Sequence, residues 1–169
     1  MFILKGFIYI LIIFNTTAIG IAVGKKYSNR LNNLQEFKNA INMLETKIKY
    51  TYEPLSSIFK DISRIIGGKT GEIFSTASYY MENIDATTSW NKSIDESTID
   101  ILKEDKKVLK TLGKLLGKTN VEGQINQIEL NLSLIEIQIK KAEKEKEKNE
   151  RLWKTVGIVS GLGIVIILF

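Results

Sequence analysis

Charge is distributed very unevenly along this chain. Every acidic residue, and every basic residue except Lys5, lies between Lys25 and Lys154. The averages, a net charge of +5 and a mean hydropathy near zero, describe an ordinary soluble domain. The pattern instead describes a charged middle between two apolar ends, which is how a chain anchored in a bilayer at both ends is written.

Residues 6–24 are apolar apart from Asn15, Thr16 and Thr17. As a helix they span about 28 Å, close to the ~30 Å hydrocarbon core. Polar groups at that depth predict a packed helix, with a second helix supplying their partners. Ala18-Ile19-Gly20 resembles a signal-peptidase site. However, Lys25-Lys26 follow at once and oppose translocation, so the segment is predicted to stay as an anchor. Residues 155–169 make about 22 Å of apolar helix. Leu152 and Trp153 extend it, and Lys154 can snorkel to the headgroups. The expected organisation is an anchor over 1–24, a helical bundle over 25–151 and a second anchor over 152–169. Lys25, Lys26, Arg30 and Lys38 flank the first anchor; Lys140, Lys141, Lys144, Lys146, Lys148, Arg151 and Lys154 flank the second. By the positive-inside rule the middle faces the cytoplasm, and the basic flanks suit anionic headgroups. Gly20-x-x-x-Gly24 and Gly157-x-x-x-Gly161 put small residues one turn apart on each anchor, where backbones can approach.

The middle has a single proline and no strand-length alternation, so it is predicted to be all-α: a six-helix bundle flanked by the two anchors. After Ser28-Asn29, Leu31, Leu34, Phe37, Ile41, Leu44 and Ile48 form one stripe. A second helix begins at Pro54, carries Leu55, Ile58, Phe59, Ile62, Ile65 and Ile66 as its face, and ends at Gly67-Gly68. A third carries Ile73, Phe74, Ala77, Met81 and Ile84. Residues 85–89 read as a polar turn before a short fourth helix with Trp90 and Ile94. A fifth holds Leu102, Val108, Leu109, Leu112, Leu115 and Leu116 and closes at Gly117. The sixth opens with capping-box spacing at Thr119 and Glu122. Its stripe, Val121, Ile125, Ile128, Leu132, Ile135, Ile139 and Ala142, recurs at alternating four and three. Leu130, Leu134 and Ile137 are expected to widen that face for burial in the bundle.

Chemistry is sparse. With no cysteine and no histidine, disulfides, thiolate chemistry and imidazole sites are excluded. Gly67-Gly68-Lys69-Thr70 imitates the end of a phosphate loop, but Ser63 stands where its first glycine belongs and no strand precedes it. Asp95-Glu96 with Asp100, or Glu104-Asp105, are the carboxylate pairs available for acid–base work, and lysines flank both. No catalytic residue, cofactor or metal is therefore assigned. Nucleic-acid binding is not expected either, because no basic stripe is interleaved with aromatics.

Several short motifs occur in a specific order: Lys26-Tyr27-x-x-Arg30, Leu44-Glu45-x-x-Ile48-x-Tyr50, Pro54-Leu55, Trp90, Leu112-Gly113, Leu116-Gly117, and Asn120 with Gln124. Together with the glycine-bearing tail, this order resembles the stage III sporulation protein AB family of endospore-forming bacteria over nearly the whole chain. In that family's pattern an acid stands at Lys114 and an Asp at Asn120. The resemblance implies a domain like the cytoplasmic domain of type II secretion F proteins. It also implies a non-enzymatic membrane platform in the mother cell–forespore channel, located in the mother-cell membrane around the forespore. The implied partners are other stage III sporulation proteins, a cytoplasmic ATPase, membrane lipid and further copies of the chain. A membrane-anchored helical sensor or lipid-binding adaptor is the alternative. Candidate packing or partner positions are Glu45, Tyr50, Pro54, Leu55, Gly113, Gly117, Asn120 and Gln124; Gly20, Gly24, Gly157 and Gly161 are candidates for packing between the anchors.

Overall fold

In the computed structural model the backbone is described from Phe2 to Leu168 and side chains from Gly6 to Leu168. Met1 and Phe169, the outermost residues of the two expected anchors, and the side chain of Lys5 lie outside the described residues. Six helices and no strand occur among the described residues: α1 Phe2–Tyr50, α2 Leu55–Ile66, α3 Gly68–Tyr80, α4 Ala86–Glu96, α5 Lys103–Leu112 and α6 Val121–Leu168. The two expected anchors are not separate elements. Helix α1 runs through Ser28-Asn29 without a break, because those residues lie inside a helix already propagating, where no cap is needed. Both α1 and α6 are long and apolar enough to cross a membrane.

The chain forms two compact units, residues 1–31 with 141–169, and residues 32–140. In the first unit, the apolar parts of α1 and α6 pack as an antiparallel pair whose backbones meet at glycine. A Cβ on Gly20 would lie 2.5 Å from the Trp153 carbonyl and 3.1 Å from Gly157 Cα. One on Gly157 would lie 2.7 Å from the Thr16 carbonyl. Gly24 faces the Glu150 backbone, and Gly161 faces Ile13 Cα and the Thr16 hydroxyl. The pairing extends from the Tyr9 hydroxyl, which donates to the Leu168 carbonyl at 3.3 Å, to Arg30, which pairs with Glu145 at 2.6 Å. The polar residues of the first apolar segment were expected to find partners on a second helix. Instead Asn15 donates to the Leu11 carbonyl and Thr16 to those of Ile12 and Ile13, so each is satisfied within its own helix.

In the second unit, the α1 stripe of Leu34, Phe37, Ile41, Leu44 and Ile48 is buried. Four aromatics centre the core. Phe74 lies 5.0 Å from Trp90, 5.1 Å from Phe59 and 6.4 Å from Phe37, ring centroid to centroid. Phe59 meets Trp90 edge-on at 88°, a geometry that aligns the positive ring edge with the negative ring face. The Trp90 indole N–H donates to the Leu109 carbonyl at 2.8 Å, so the largest core side chain leaves no polar group unpaired. The expected polar turn at 85–89 is in fact the first turn of α4. Asp85 caps it by accepting from the Thr88 backbone N–H at 3.2 Å and hydroxyl at 2.6 Å.

Three other expectations need correction. Helix α3 ends at Tyr80, and Met81 and Ile84 lie beyond it, half-buried and exposed. Helix α5 starts after Leu102 and ends at Leu112, so Leu102 and Leu115 are exposed while Leu116 folds back into the core. On α6, Leu130 and Ile137 are 52% and 51% exposed. At 100° per residue they sit roughly half a turn from Ile128, so they form an opposite stripe and do not widen the buried face. What completes the buried face is polar. Asn131 donates to the Val108 carbonyl and the Thr111 hydroxyl, and Gln127 donates to the Thr111 carbonyl, which locks α6 onto α5.

Ion pairs tie helix surfaces together. Lys47 on α1 reaches Asp61 on α2 at 2.8 Å, and Lys38 reaches Glu136 on α6. The hydrogen bond from Lys47 holds Asp61 below the usual carboxylate range, Lys38 does the same for Glu136, and the Thr88 hydrogen bonds do so for Asp85. Each group is more acidic folded than unfolded. Its contribution is complete above the unfolded value of about 4 and fades as pH falls through the folded value. Thermal melts of the detergent-solubilised chain are expected to lose Tm steadily from pH 5 to pH 2. In Asp85→Asn this loss should be smaller, because one of the three titrating groups is gone.

Candidate functional site

The candidate residues Pro54, Leu55, Gly117, Asn120 and Gln124 come together at one helix joint of the second unit. Pro54 has φ −58° and ψ 141° and occupies the N-cap position of α2, so the helix starts at Leu55, one residue after the expected start. Leu55 follows and is half-buried, where full burial was expected, because it is the first residue of the helix and rims a cavity. That cavity, about 320 Å³, is walled by Leu55, Met81, Ala86, Leu116 and Gly117, with Asp85 and Lys118 at its edge, 3.8 Å apart.

Gly117 has the expected left-handed conformation, φ +69°, but α5 ends at Leu112 and does not close at Gly117 as expected, so the glycine turns the loop that follows the helix. A Cβ there would lie 3.4 Å from Leu55 Cδ1. The Gly117 N–H donates to Gln124 Oε1 at 3.1 Å, and Gln124 Nε2 donates to the Thr119 carbonyl at 3.2 Å. One glutamine on the first turn of α6 thus holds two backbone groups of the preceding loop. The cap itself is Asn120, not Thr119: its Oδ1 accepts from the Gly123 N–H at 2.9 Å. This shifts the expected capping box by one residue and leaves Glu122 out of it. Gly117→Ala places a Cβ in the left-handed region at a cost of about 1 kcal/mol or more. Its melt is expected to fall several degrees below wild type, and Asn120→Ala should lose about 0.5–2 kcal/mol through the cap.

The remaining candidates are placed apart from the joint. Gly113 is buried and helical at φ −65°; it is small because a Cβ would stand 3.0 Å from Trp90 Cδ1, so space matters there and chain reversal does not. Glu45 is half-buried on α1, and Tyr50 is exposed with Lys49 Nζ 5.5 Å from its ring centre. Among the described residues neither side chain makes a hydrogen bond into the bundle. Sequence reasoning passed over Tyr52, which has φ +52° and is 91% exposed between α1 and α2. A bulky aromatic in the left-handed region is unusual, and no composition signal marks it.

The groups that resembled chemistry are engaged in structure. Lys69 donates to the Thr98 carbonyl, and the buried Thr70 hydroxyl donates to Glu36, a carboxylate that would repel a phosphate. Asp95 pairs with Lys110, Glu96 accepts from the Tyr80 hydroxyl, and Asp105 accepts from the Leu102 N–H at the start of α5. Among the described residues no cluster of acids has the arrangement of a metal site.

The family model for stage III sporulation protein AB matches residues 5–169. Stage III sporulation protein AB of Bacillus subtilis (strain 168) is 28% identical over 163 residues, covering 94% of this chain and 95% of that protein. A solved structure of stage III sporulation protein AB superposes with a TM-score of 0.67 at 25% identity, over 71% of this chain and 98% of the other. A match that begins before the first apolar segment and runs through the second takes in both legs and the whole bundle, and on it the chain belongs to the stage III sporulation protein AB family.

Proposed function

We propose that this chain is a non-enzymatic platform subunit of the secretion-like channel between mother cell and forespore. It sits in the mother-cell membrane around the forespore with its bundle in the cytoplasm. The observation that carries the reading is the end-to-end family match across both apolar helices and the domain between them. The fold supports it physically. Asp95, Glu96 and Asp105, the carboxylates that could have served acid–base work, are held by Lys110, Tyr80 and the start of α5. On this reading the bundle is a counterpart of the cytoplasmic domain of type II secretion F proteins. The proposed partners are other stage III sporulation proteins, the associated cytoplasmic ATPase and further copies of the chain. The test is affinity purification of a tagged full chain from sporulating cells in mild detergent. Other stage III sporulation proteins are expected in the eluate in fixed proportion. A chain recovered by itself, in cells where those proteins are made, refutes the platform reading.

A further inference from the structure

Between the two legs of the first unit is a cavity of about 300 Å³, lined by Ile21, Gly24, Lys25 and Ser28 of α1 and by Glu150 and Lys154 of α6. Lys25 is the first charged residue after one apolar run, and Lys154 is the last before the other. The cavity therefore lies at the level where a bilayer's hydrocarbon meets its headgroups. Among the described residues neither lysine forms an ion pair, whereas Arg30 nearby is paired with Glu145. We propose that this cavity is a phospholipid headgroup site that holds one singly anionic, hydroxyl-bearing headgroup.

The chemistry of the lining fits such a ligand. Two ammonium groups arriving from opposite helices can bracket one phosphodiester, each supplying three donors. Glu150 reduces the lining to a net single positive charge, which matches one negative headgroup. Its carboxylate is an acceptor for headgroup hydroxyls, and Ser28 adds a hydroxyl. Ile21 and Gly24 offer an apolar wall and an open backbone to the glycerol and upper acyl region. Gly24 also keeps the legs close, since a Cβ there would lie 3.3 Å from the Glu150 carbonyl. A bound headgroup would thus bridge the two legs at the point where they leave the bilayer.

The proposal rests on the membrane reading of the legs, and the experiment separates the two. The full chain is inserted into vesicles, extracted in mild detergent, and examined by native mass spectrometry with phosphatidylglycerol, phosphatidylcholine or inorganic phosphate added. One retained phosphatidylglycerol is expected, with little phosphatidylcholine and no response to inorganic phosphate. Lys25→Gln with Lys154→Gln should weaken retention by about thirtyfold, from the loss of two lysines near the headgroup. Lys148→Gln, an exposed lysine outside the cavity, should leave retention as it is. Circular dichroism confirms that each variant keeps its helices. Equal retention of the two lipids, an unchanged double variant, or occupancy by inorganic phosphate alone overturns the site. A chain that does not enter vesicles at all overturns the site and the membrane reading together.

Discussion

Trp90→Ala is expected to be among the most damaging single substitutions in the bundle. The indole is fully buried, touches Phe59 and Phe74, and donates to the Leu109 carbonyl at 2.8 Å. Truncation removes the ring contacts, opens a cavity and leaves that carbonyl unpaired. Large-to-small changes of an aromatic cost about 3–5 kcal/mol, against ~5–15 kcal/mol for a whole small domain. Thermal denaturation followed by circular dichroism in detergent should show the bundle's transition lowered by more than ~10 °C. Trp90→Phe keeps most of the ring packing and loses the hydrogen bond, so it should fall between alanine and wild type. A melt of Trp90→Ala within a degree of wild type would mean that the aromatic cluster does not centre the core.

Gly157→Leu is expected to separate the two legs. The added Cβ would sit 2.7 Å from the Thr16 carbonyl and 3.2 Å from Gly20 Cα, both backbone atoms that no rotamer change can move aside. Overpacking costs about 1–3 kcal/mol, enough to shift a pairing equilibrium by about five- to 150-fold. The chain has no cysteine, so an introduced pair reports on itself alone. A Cβ on Gly24 would lie 3.5 Å from Glu150 Cα, within disulfide reach. Gly24→Cys with Glu150→Cys should cross-link on mild oxidation, and adding Gly157→Leu should reduce the cross-link about tenfold. Gly163→Leu is the control, because nothing lies within 4 Å of a Cβ at that position.

The parts of the fold that sequence made legible are those governed by local periodicity. The α1 stripe from Leu31 to Ile48 is buried as its spacing predicts, and Gly117 has the expected positive φ, although it stands in the loop beyond α5 and not at that helix's end. Errors arose where a local rule had more than one three-dimensional solution. Leu130, Leu134 and Ile137 are apolar at helical spacing, but their phase puts Leu130 and Ile137 opposite Ile128. Polar Asn131 and Gln138 occupy the buried side instead. Residues 85–89 carry turn composition, yet the same Asp-x-x-Thr spacing also caps a helix, and packing of Trp90 and Ile94 selects the helix. Ser28-Asn29 has cap chemistry that an uninterrupted helix does not use. The joint was half legible. Asn120 and Gln124 were singled out, but the bonds from Gln124 to the Gly117 N–H and the Thr119 carbonyl depend on the loop geometry. Tyr52, in the α1–α2 connection, carries no sequence signal for its positive φ.

The central claim is that a bundle faces the cytoplasm from between two membrane legs, and thiol accessibility tests it directly. Asn83, exposed in the turn between α3 and α4, is replaced by cysteine in the otherwise cysteine-free full chain, expressed in vegetative cells. A membrane-impermeant maleimide is then applied to intact cells and to permeabilised cells. Labelling only after permeabilisation, with the chain retained in carbonate-washed membranes, is the predicted result. Full labelling of intact cells would place the bundle outside and contradict the account, and so would release of the chain by carbonate.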